Sequence, residues 1–376
     1  MKTYAIGMMS GTSLDGVDVA LVSIEGINLK TKVEVIAYDT LKLDEEIINK
    51  IHMAMDIKRS NIALITSLNV ELGYMFAHAV NQFIHDHQLE QYQIDFISSH
   101  GQTIYHIPQH ENGYVRSSLQ LGEGSVISEL CKKTVVSNFR LADIAAGGQG
   151  APLVPFVDYI LFSKKGVNRA IHNIGGIANT TILHKRVHES KVLAWDSGPG
   201  NMMIDRAMQV LFNQSYDKNG EVAQSGHLIK QLFDEVMAID FFKLDPPKST
   251  GRELFGNQLT DELIKKYENY DKKDMIHTLT HITAYSIAKT YDHHPIDELY
   301  ICGGGAYNKF LVSLIQKYLP NVKVDVLDVL GIPSSIKEAV AFAVLGYHTL
   351  KHKPSNMMSA TGAKKKKILG QINYYK

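Results

Sequence analysis

G-M-M-S-G-T-S-L-D-G-V-D, residues 7–18, joins two apolar runs, 4–9 and 17–24, through a turn of glycine, hydroxyls and carboxylate. An apolar run, a small-residue turn and a β-branched alternating run together predict a β-hairpin. Glycine supplies positive φ there, and small side chains leave the turn's N–H groups uncovered. Such a turn is either a plain connection or a cradle for phosphate. A second turn of the same design, Gly175-Gly176 between strand candidates at 169–174 and 180–183, favours the cradle.

Outward from the hairpin, the first half predicts a strand at 33–38 and a helix at 61–87. In that helix Leu64, Leu68, Leu72, Met75, Phe76, Ala79 and Phe83 fall three or four apart. A short strand at 94–98 ends at S-H-G-Q, followed by a strand at 119–121, a helix at 125–131 and a strand at 134–137. Residues 146–155, A-G-G-Q-G-A-P-L-V-P, hold three glycines and two prolines. They cannot be the interior of an element, so they form a boundary or a shaped binding loop. The second half restarts the pattern, with strands at 169–174, 180–183 and 192–195 and a sharp turn at D-S-G-P-G, 196–200. Helices follow at 201–211, 227–236, 260–267 and 277–291, then a strand at 299–302, a helix at 308–318, a strand at 323–326 and a helix at 336–348. Each half opens strand, glycine turn, strand. The fold class is therefore α/β, two related domains with an interdomain cleft. Their limits are 1–150 and 151–350, with a tail, 351–376, that packs back on the first.

At 376 residues the chain is long enough for two domains. Lys plus Arg and Asp plus Glu number 39 each, so nothing attracts nucleic acid or an anionic membrane in general. The basic run Lys364–Lys367 reads as a solvated tail. Cys131 and Cys302 are the only cysteines, which excludes a disulfide framework and fits a reducing compartment. Residues 1–7 lack the features of a signal peptide, and no apolar run approaches the ~18 residues of a membrane span. A soluble cytoplasmic protein is expected, with a homodimer left open.

Glycine-rich sites recur at four strand ends: Gly7 to Gly16, Gly175-Gly176, Ser197 to Gly200, and Gly303 to Gly305. Ligands of open α/β sheets bind at strand C-termini, where glycine lets the backbone approach an anion. Neither a Walker P-loop nor a G-x-G-x-x-G is present. Asp15 and Asp18 in the first turn read as Mg²⁺ or water ligands or as turn caps, and capping is the better reading for Asp18. Asp196 follows the only Trp and an apolar run; partial desolvation would raise its basicity and suit a general base. His106 and His110 bracket Pro108, which spoils a helical zinc pair, and His293-His294 lies in a polar helix exit. His100 ends a strand and is either a core histidine bonded to backbone or a substrate contact. Cys302 reads as a small buried strand residue.

These turns, in this order, resemble the superfamily of actin, hexokinases and heat-shock chaperone ATPases, whose two related domains clasp ATP between glycine hairpins. Within it the wording is similar to the anhydro-N-acetylmuramic acid kinase family. The motifs are the 7–18 stretch, S-S-H-G-Q-T (98–103), F-R-L-A-D-I-A-A-G-G-Q-G-A-P-L-V-P (139–155), N-I-G-G-I-A-N (173–179), W-D-S-G-P-G-N (195–201), K-S-T-G-R-E (248–253), I-C-G-G-G-A-Y-N (301–308), G-I-P-S-S-I-K-E-A (331–339) and T-G-A (361–363). The resemblance implies an actin-like ATPase or sugar-kinase fold and a kinase that opens the 1,6-anhydro ring with water while phosphorylating the carbon-6 oxygen. It implies ATP and Mg²⁺ as cofactors and Asp196 as general base. Gly11, Thr12, Ser13, Leu14, Asp15, Gly16, Val17 and Asp18 would form the phosphate loop, with Asp15 reaching Mg²⁺ through water. Gly175, Gly176, Gly198, Gly200, Gly303, Gly304 and Gly305 would complete the nucleotide site. Glu338 is assigned to the sugar side, and His100, Arg140 and Gln149 are the further substrate candidates. Two other classes stay open: an ordinary sugar or carboxylate kinase of the same superfamily, and an ATP-driven assembly or chaperone-like protein.

Overall fold

The 7–18 stretch is the connection of a hairpin: β1 (Thr3–Ser10) and β2 (Val17–Glu25) pair antiparallel with Ser10 opposite Val17. The computed structural model describes every residue except Met1, Thr12, Ser13, Asp15 and Asn112. The further strands are β3 (Lys32–Leu41), β4 (Phe96–Ile107), β5 (Ser117–Leu121), β6 (Thr134–Ser137), β7 (Arg169–Ile174) and β8 (Ile177–Leu183). After them come β9 (Leu193–Pro199), β10 (Glu298–Cys302), β11 (Lys323–Val326) and β12 (Gln371–Asn373).

The chain divides into two compact units, Met1–Leu161 with Ile336–Lys376, and Phe162–Ser335. Residues 151–161 and 336–350 thus go with the first unit, where a division at 150 and 350 assigns them to the second. The helix Lys337–Leu350 packs on β1, β2 and β4, and 151–161 joins it through Asp158 on Lys337 and Phe156 on His348. The tail also belongs there, since β12 pairs antiparallel with β6.

Each unit is built on one strand plan. In the first, β1, β2 and β3 form an antiparallel meander, and β4 and β6 extend the sheet in parallel from β1, giving the order β3-β2-β1-β4-β6. In the second, β7, β8 and β9 are the meander and β10 and β11 the parallel extension, giving β9-β8-β7-β10-β11. The two glycine turns, 11–16 and 175–176, occupy the same place in the plan. Matching order and direction over five strands make the halves a topological duplication.

The helix Ile62–Asp86 shows how the first core is filled. Asn61 caps it by accepting from the Leu64 N–H at 2.9 Å, and Leu68, Leu72, Phe76, Val80 and Phe83 recur on its buried face. The Lys337–Leu350 helix is different: Ala339 through Thr349 are all buried, so it is apolar all round. It lies so close to the sheet that a Cβ on Gly7 of β1 would sit 2.0 Å from the Ala339 carbonyl oxygen. Ser98 of β4 fastens it further by donating Oγ–H to the Phe342 carbonyl at 2.5 Å. Among the described residues no helix is long and apolar enough to cross a membrane.

Two strands run further than their sequence pattern indicates. β4 does not stop at Ser98 but continues through S-H-G-Q to Ile107; its register on β1 shifts between Met8 and Ser10, and Gly101 takes φ +78°. That irregularity turns the strand away from β1 to pair with β5. β9 likewise passes through Asp196 to Pro199, because a register shift against β8 absorbs one extra residue and the D-S-G-P segment stays paired.

Gly7→Ala should lower unfolding stability by at least ~2 kcal/mol, as overpacking of a backbone contact does. Urea denaturation monitored by circular dichroism measures it.

Candidate active site

Asp196 sits in β9, the edge strand of the second sheet. The Lys248–Thr250 segment covers that edge: Asp196 N–H donates to the Lys248 carbonyl at 3.0 Å, and Thr250 N–H donates to Asp196 Oδ2 at 2.9 Å. Oδ1 has no hydrogen-bond partner among the described residues. Burial pushes the carboxyl up to about 6, opposed by the Thr250 N–H and assisted by the negative charge of Glu253. The desolvation expected from its sequence context is therefore present. Beside it, Thr250 Oγ1 is buried and lacks a partner.

Around the same sheet the glycine turns interlock. The carbonyl of Gly176 accepts from Gly200 N–H at 2.9 Å and from Met202 N–H at 3.1 Å, while Gly175 accepts from Asn201 N–H at 2.8 Å. Asn201 Nδ2 donates to the Ile174 carbonyl at 3.2 Å. Gly303 takes φ +79°, and a Cβ there would meet Asn173 Oδ1 at 2.5 Å, so the fold itself demands glycine. Gly175 and Gly304 are another matter. Both have ordinary φ, and a Cβ would find its nearest neighbours at 3.6 and 3.7 Å. Among the described residues nothing requires glycine at those two positions, which leaves open ground on the turns.

In the first unit the substrate candidates form a chain of contacts. Arg140 donates from Nε and Nη2 to His100 Nε2 at 3.1 and 2.8 Å, and from Nη1 to the Gly150 carbonyl at 2.8 Å. His100 Nε2 must then be the bare nitrogen and Nδ1–H the donor to the Gly101 carbonyl at 2.8 Å. Burial and the Arg140 charge hold the imidazole well below its ordinary value, so it is neutral. Both ring nitrogens are spent inside the protein; His100 acts as a mount for Arg140. Burial pulls the guanidinium down to about 10, still a cation at neutral pH, with Glu338 opposing that shift. Glu338 is held above the usual carboxyl range by burial, countered by Lys337 and Arg140 and reinforced by Asp158. Gln149 donates its backbone N–H to the Thr361 carbonyl at 2.8 Å, and its side chain has no hydrogen bond among the described residues.

The hairpin turn is only partly described. Thr12, Ser13 and Asp15, and with them the Mg²⁺ assignment, lie outside the described residues. Leu14 and Val17 are core residues of the first unit. Asp18 accepts from the Thr40 hydroxyl on β3 at 2.7 Å, a cross-strand bond. Gly11 is tied down from β4, because Gln102 donates to its carbonyl at 3.3 Å and accepts from Ser10 Oγ at 2.6 Å.

Residues 3–375 match the sequence profile of the family described as "Anhydro-N-acetylmuramic acid kinase". The chain belongs to the anhydro-N-acetylmuramic acid kinase family. It is 49% identical over 377 residues to the anhydro-N-acetylmuramic acid kinase of Francisella tularensis subsp. novicida (strain U112), covering 99% of each chain. To that of Bacillus cereus (strain Q1) it is 45% identical over 378 residues, again with 99% of each covered. Among solved structures, the activator of the 2-hydroxyisocaproyl-CoA dehydratase from Clostridium difficile with bound ADPNP gives a TM-score of 0.48 at 11% identity, over 93% of this chain and 96% of that one. The family assignment rests on the sequence matches.

Several residues of this family member stand in the quoted motifs without having been singled out as site residues. Gln102 sits in S-S-H-G-Q-T, Thr250 in K-S-T-G-R-E, and Asn201 ends W-D-S-G-P-G-N. Asp205, in the first turn of the helix Met202–Phe212, is pushed up to about 7 by burial. Asp143 is the most consequential omission. Fully buried, it accepts from Asn356 Nδ2 at 3.0 Å, Thr361 Oγ1 at 2.9 Å and Gly150 N–H at 2.9 Å. It thereby ties the 146–150 loop, whose Gly147 and Gly148 carbonyls accept from Arg116, to the C-terminal segment. The carboxylate in F-R-L-A-D is its sole signal in the sequence; two of its partners, Asn356 and Thr361, lie more than 200 residues away.

Asp143→Ala would leave the Gly150 N–H and one Asn356 Nδ2–H without their buried acceptor and should cost on the order of 3 kcal/mol. A denaturant titration checks it.

Proposed function

We propose that the protein is an ATP-dependent kinase that opens the 1,6-anhydro ring of anhydro-N-acetylmuramic acid with water and phosphorylates the freed carbon-6 oxygen. The products are N-acetylmuramic acid 6-phosphate and ADP, which suits a cytoplasmic enzyme of cell-wall (peptidoglycan) recycling. Family membership supports the substrate, and Asp196 is the observation that carries the chemistry.

The oxygen to be phosphorylated is tied to the anomeric carbon and has no proton to lose. A base must therefore act on water. Asp196 accepts the water's proton as the water oxygen bonds to the anomeric carbon, the bond from that carbon to the carbon-6 oxygen breaks, and that oxygen takes the γ-phosphoryl group. A carboxyl raised to about 6 is still mostly ionised at neutral pH yet more basic than an exposed aspartate. Its unpartnered Oδ1 is the atom for the water, and Thr250 Oγ1 is a second polar group without a partner beside it. The nucleotide reading is supported by Gly175 and Gly304, which leave space that a side chain would fill. Mg²⁺, when bound with ATP, neutralises charge on the transferring group, and Asp15 is the proposed residue toward it. Arg140, held by His100 and the Gly150 carbonyl, and Glu338 are the proposed sugar-side groups.

The direct test is incubation with ATP, Mg²⁺ and the anhydro sugar in ¹⁸O-water, quenched early and read by mass spectrometry. One ¹⁸O should enter the anomeric hydroxyl and none the phosphate ester. Faster phosphorylation of free N-acetylmuramic acid than of the anhydro sugar would instead assign an ordinary sugar kinase. Asp196→Asn should lower kcat by ~10²- to 10⁴-fold, the usual worth of a positioned base, with both substrates still bound. For the native protein, the active form is the ionised carboxylate, so kcat should fall as pH drops through about 6 and stay level above it. A pH series under saturating substrates measures that limb.

A further inference from the structure

Asp196 is followed at once by an irregularity in its strand. Asn179 of β8 lies opposite Asp196 and Ala178 lies opposite Gly198, so Ser197 is the extra residue of a β-bulge. Bulges re-aim neighbouring side chains, and here the neighbour is the proposed base. A bulge placed at an edge strand needs something to hold it, since one backbone position has left the ladder.

What holds it is a buried chain of side chains whose donor directions are all fixed. Ser197 Oγ donates to the Ala178 carbonyl at 3.1 Å, so it can only accept from His172 Nε2, 3.0 Å away. His172 therefore carries its proton on Nε2, and its Nδ1 accepts from Tyr291 O–H at 2.6 Å. Tyr291 in turn accepts from Thr180 Oγ1 at 3.0 Å. His172 and Thr180 face each other on β7 and β8, and Tyr291 lies just beyond the helix Lys272–Lys289. His172 is fully buried, Thr180 and Ser197 nearly so. A polar chain of this kind persists in an apolar interior only when every member is satisfied, which gives it one arrangement.

We propose that His172 is a positioning residue for the reaction: by donating Nε2–H to Ser197 Oγ it locks the bulge and so fixes where the Asp196 carboxylate points. This rests on Asp196 being the base. His172 touches neither substrate; it acts through Ser197. Its loss should spoil alignment of the water-activating carboxylate while leaving substrate binding intact.

The test is steady-state kinetics on the full-length protein with five variants, each with its thermal midpoint. His172→Ala and Ser197→Ala should each lower kcat roughly 10- to 100-fold, the scale of a small misplacement, with KM for ATP and sugar within about twofold. Combining the two should cost no more than the worse single change, because they break one link. His172→Gln keeps an N–H donor toward Ser197 and should recover most of kcat. Ser197→Ala removes a single oxygen and decides the matter if His172→Ala does not fold. Unchanged kcat in folded His172→Ala or Ser197→Ala, additive losses in the double variant, or His172→Gln no better than His172→Ala would each overturn the proposal. Asp196→Asn is the control: near-native turnover in that variant defeats the base assignment itself. An inactive Asp196→Asn beside a fully active Ser197→Ala defeats only the role of His172.

Discussion

The burial of the helix Lys337–Leu350 against the first sheet is the contact on which the proposed sugar-side groups depend. Its buried side chains, at about 1.5–3 kcal/mol for each large apolar one, make it a dominant part of that unit's core. Packing this tight fixes the helix's register, and register decides where its N-terminal charges stand. Lys337 is held there by Asp158 at 2.9 Å in a buried ion pair, with Glu338 next along the chain. Four residues on from Glu338, Phe342 stacks on His100 with ring centroids 4.6 Å apart. His100 carries Arg140. A helix of mostly apolar sequence thus sets the position of both the carboxyl and the guanidinium of the proposed sugar side.

Burial acts on the two key ionisable groups in opposite senses, and the outcomes suit their tasks. Arg140 begins so far above neutrality that a fall to about 10 leaves it fully charged. Asp196 begins well below neutrality, and a rise to about 6 brings it to the edge of protonation without crossing. Desolvation alone would carry the carboxylate further; the Thr250 N–H restrains it. That backbone donor works against desolvation and favours the ionised form of the proposed base.

Much of the architecture was legible because it is locally encoded. The β1–β2 hairpin follows from its apolar runs and small-residue turn, β7 from its place before the second glycine turn, and the Ile62–Asp86 helix from apolar residues three or four apart. The candidate site was legible as a set of turns and one carboxylate with an apolar approach. Features that depend on distant partners were not. β4 continues past Ser98 because β5 is there to receive it, and the D-S-G-P segment stays in the sheet because β8 and a buried histidine hold the bulge. Asp143 reads as an ordinary helix acid until Asn356 and Thr361 are brought beside it. The unit limits shifted for the same reason. Whether 336–350 closes the first sheet or ends the second domain is decided by Gly7 and Ser98, more than 200 residues upstream.

The first unit is written in two pieces with the whole of the second between them. During synthesis on the ribosome, its sheet emerges early and waits with one apolar face uncovered while some 174 residues are added, from 162 to 335. The second unit, contiguous in the message, can complete its core first. The nascent first sheet is then the species that chaperones must shield, and the last stretch of translation is what ends its exposure.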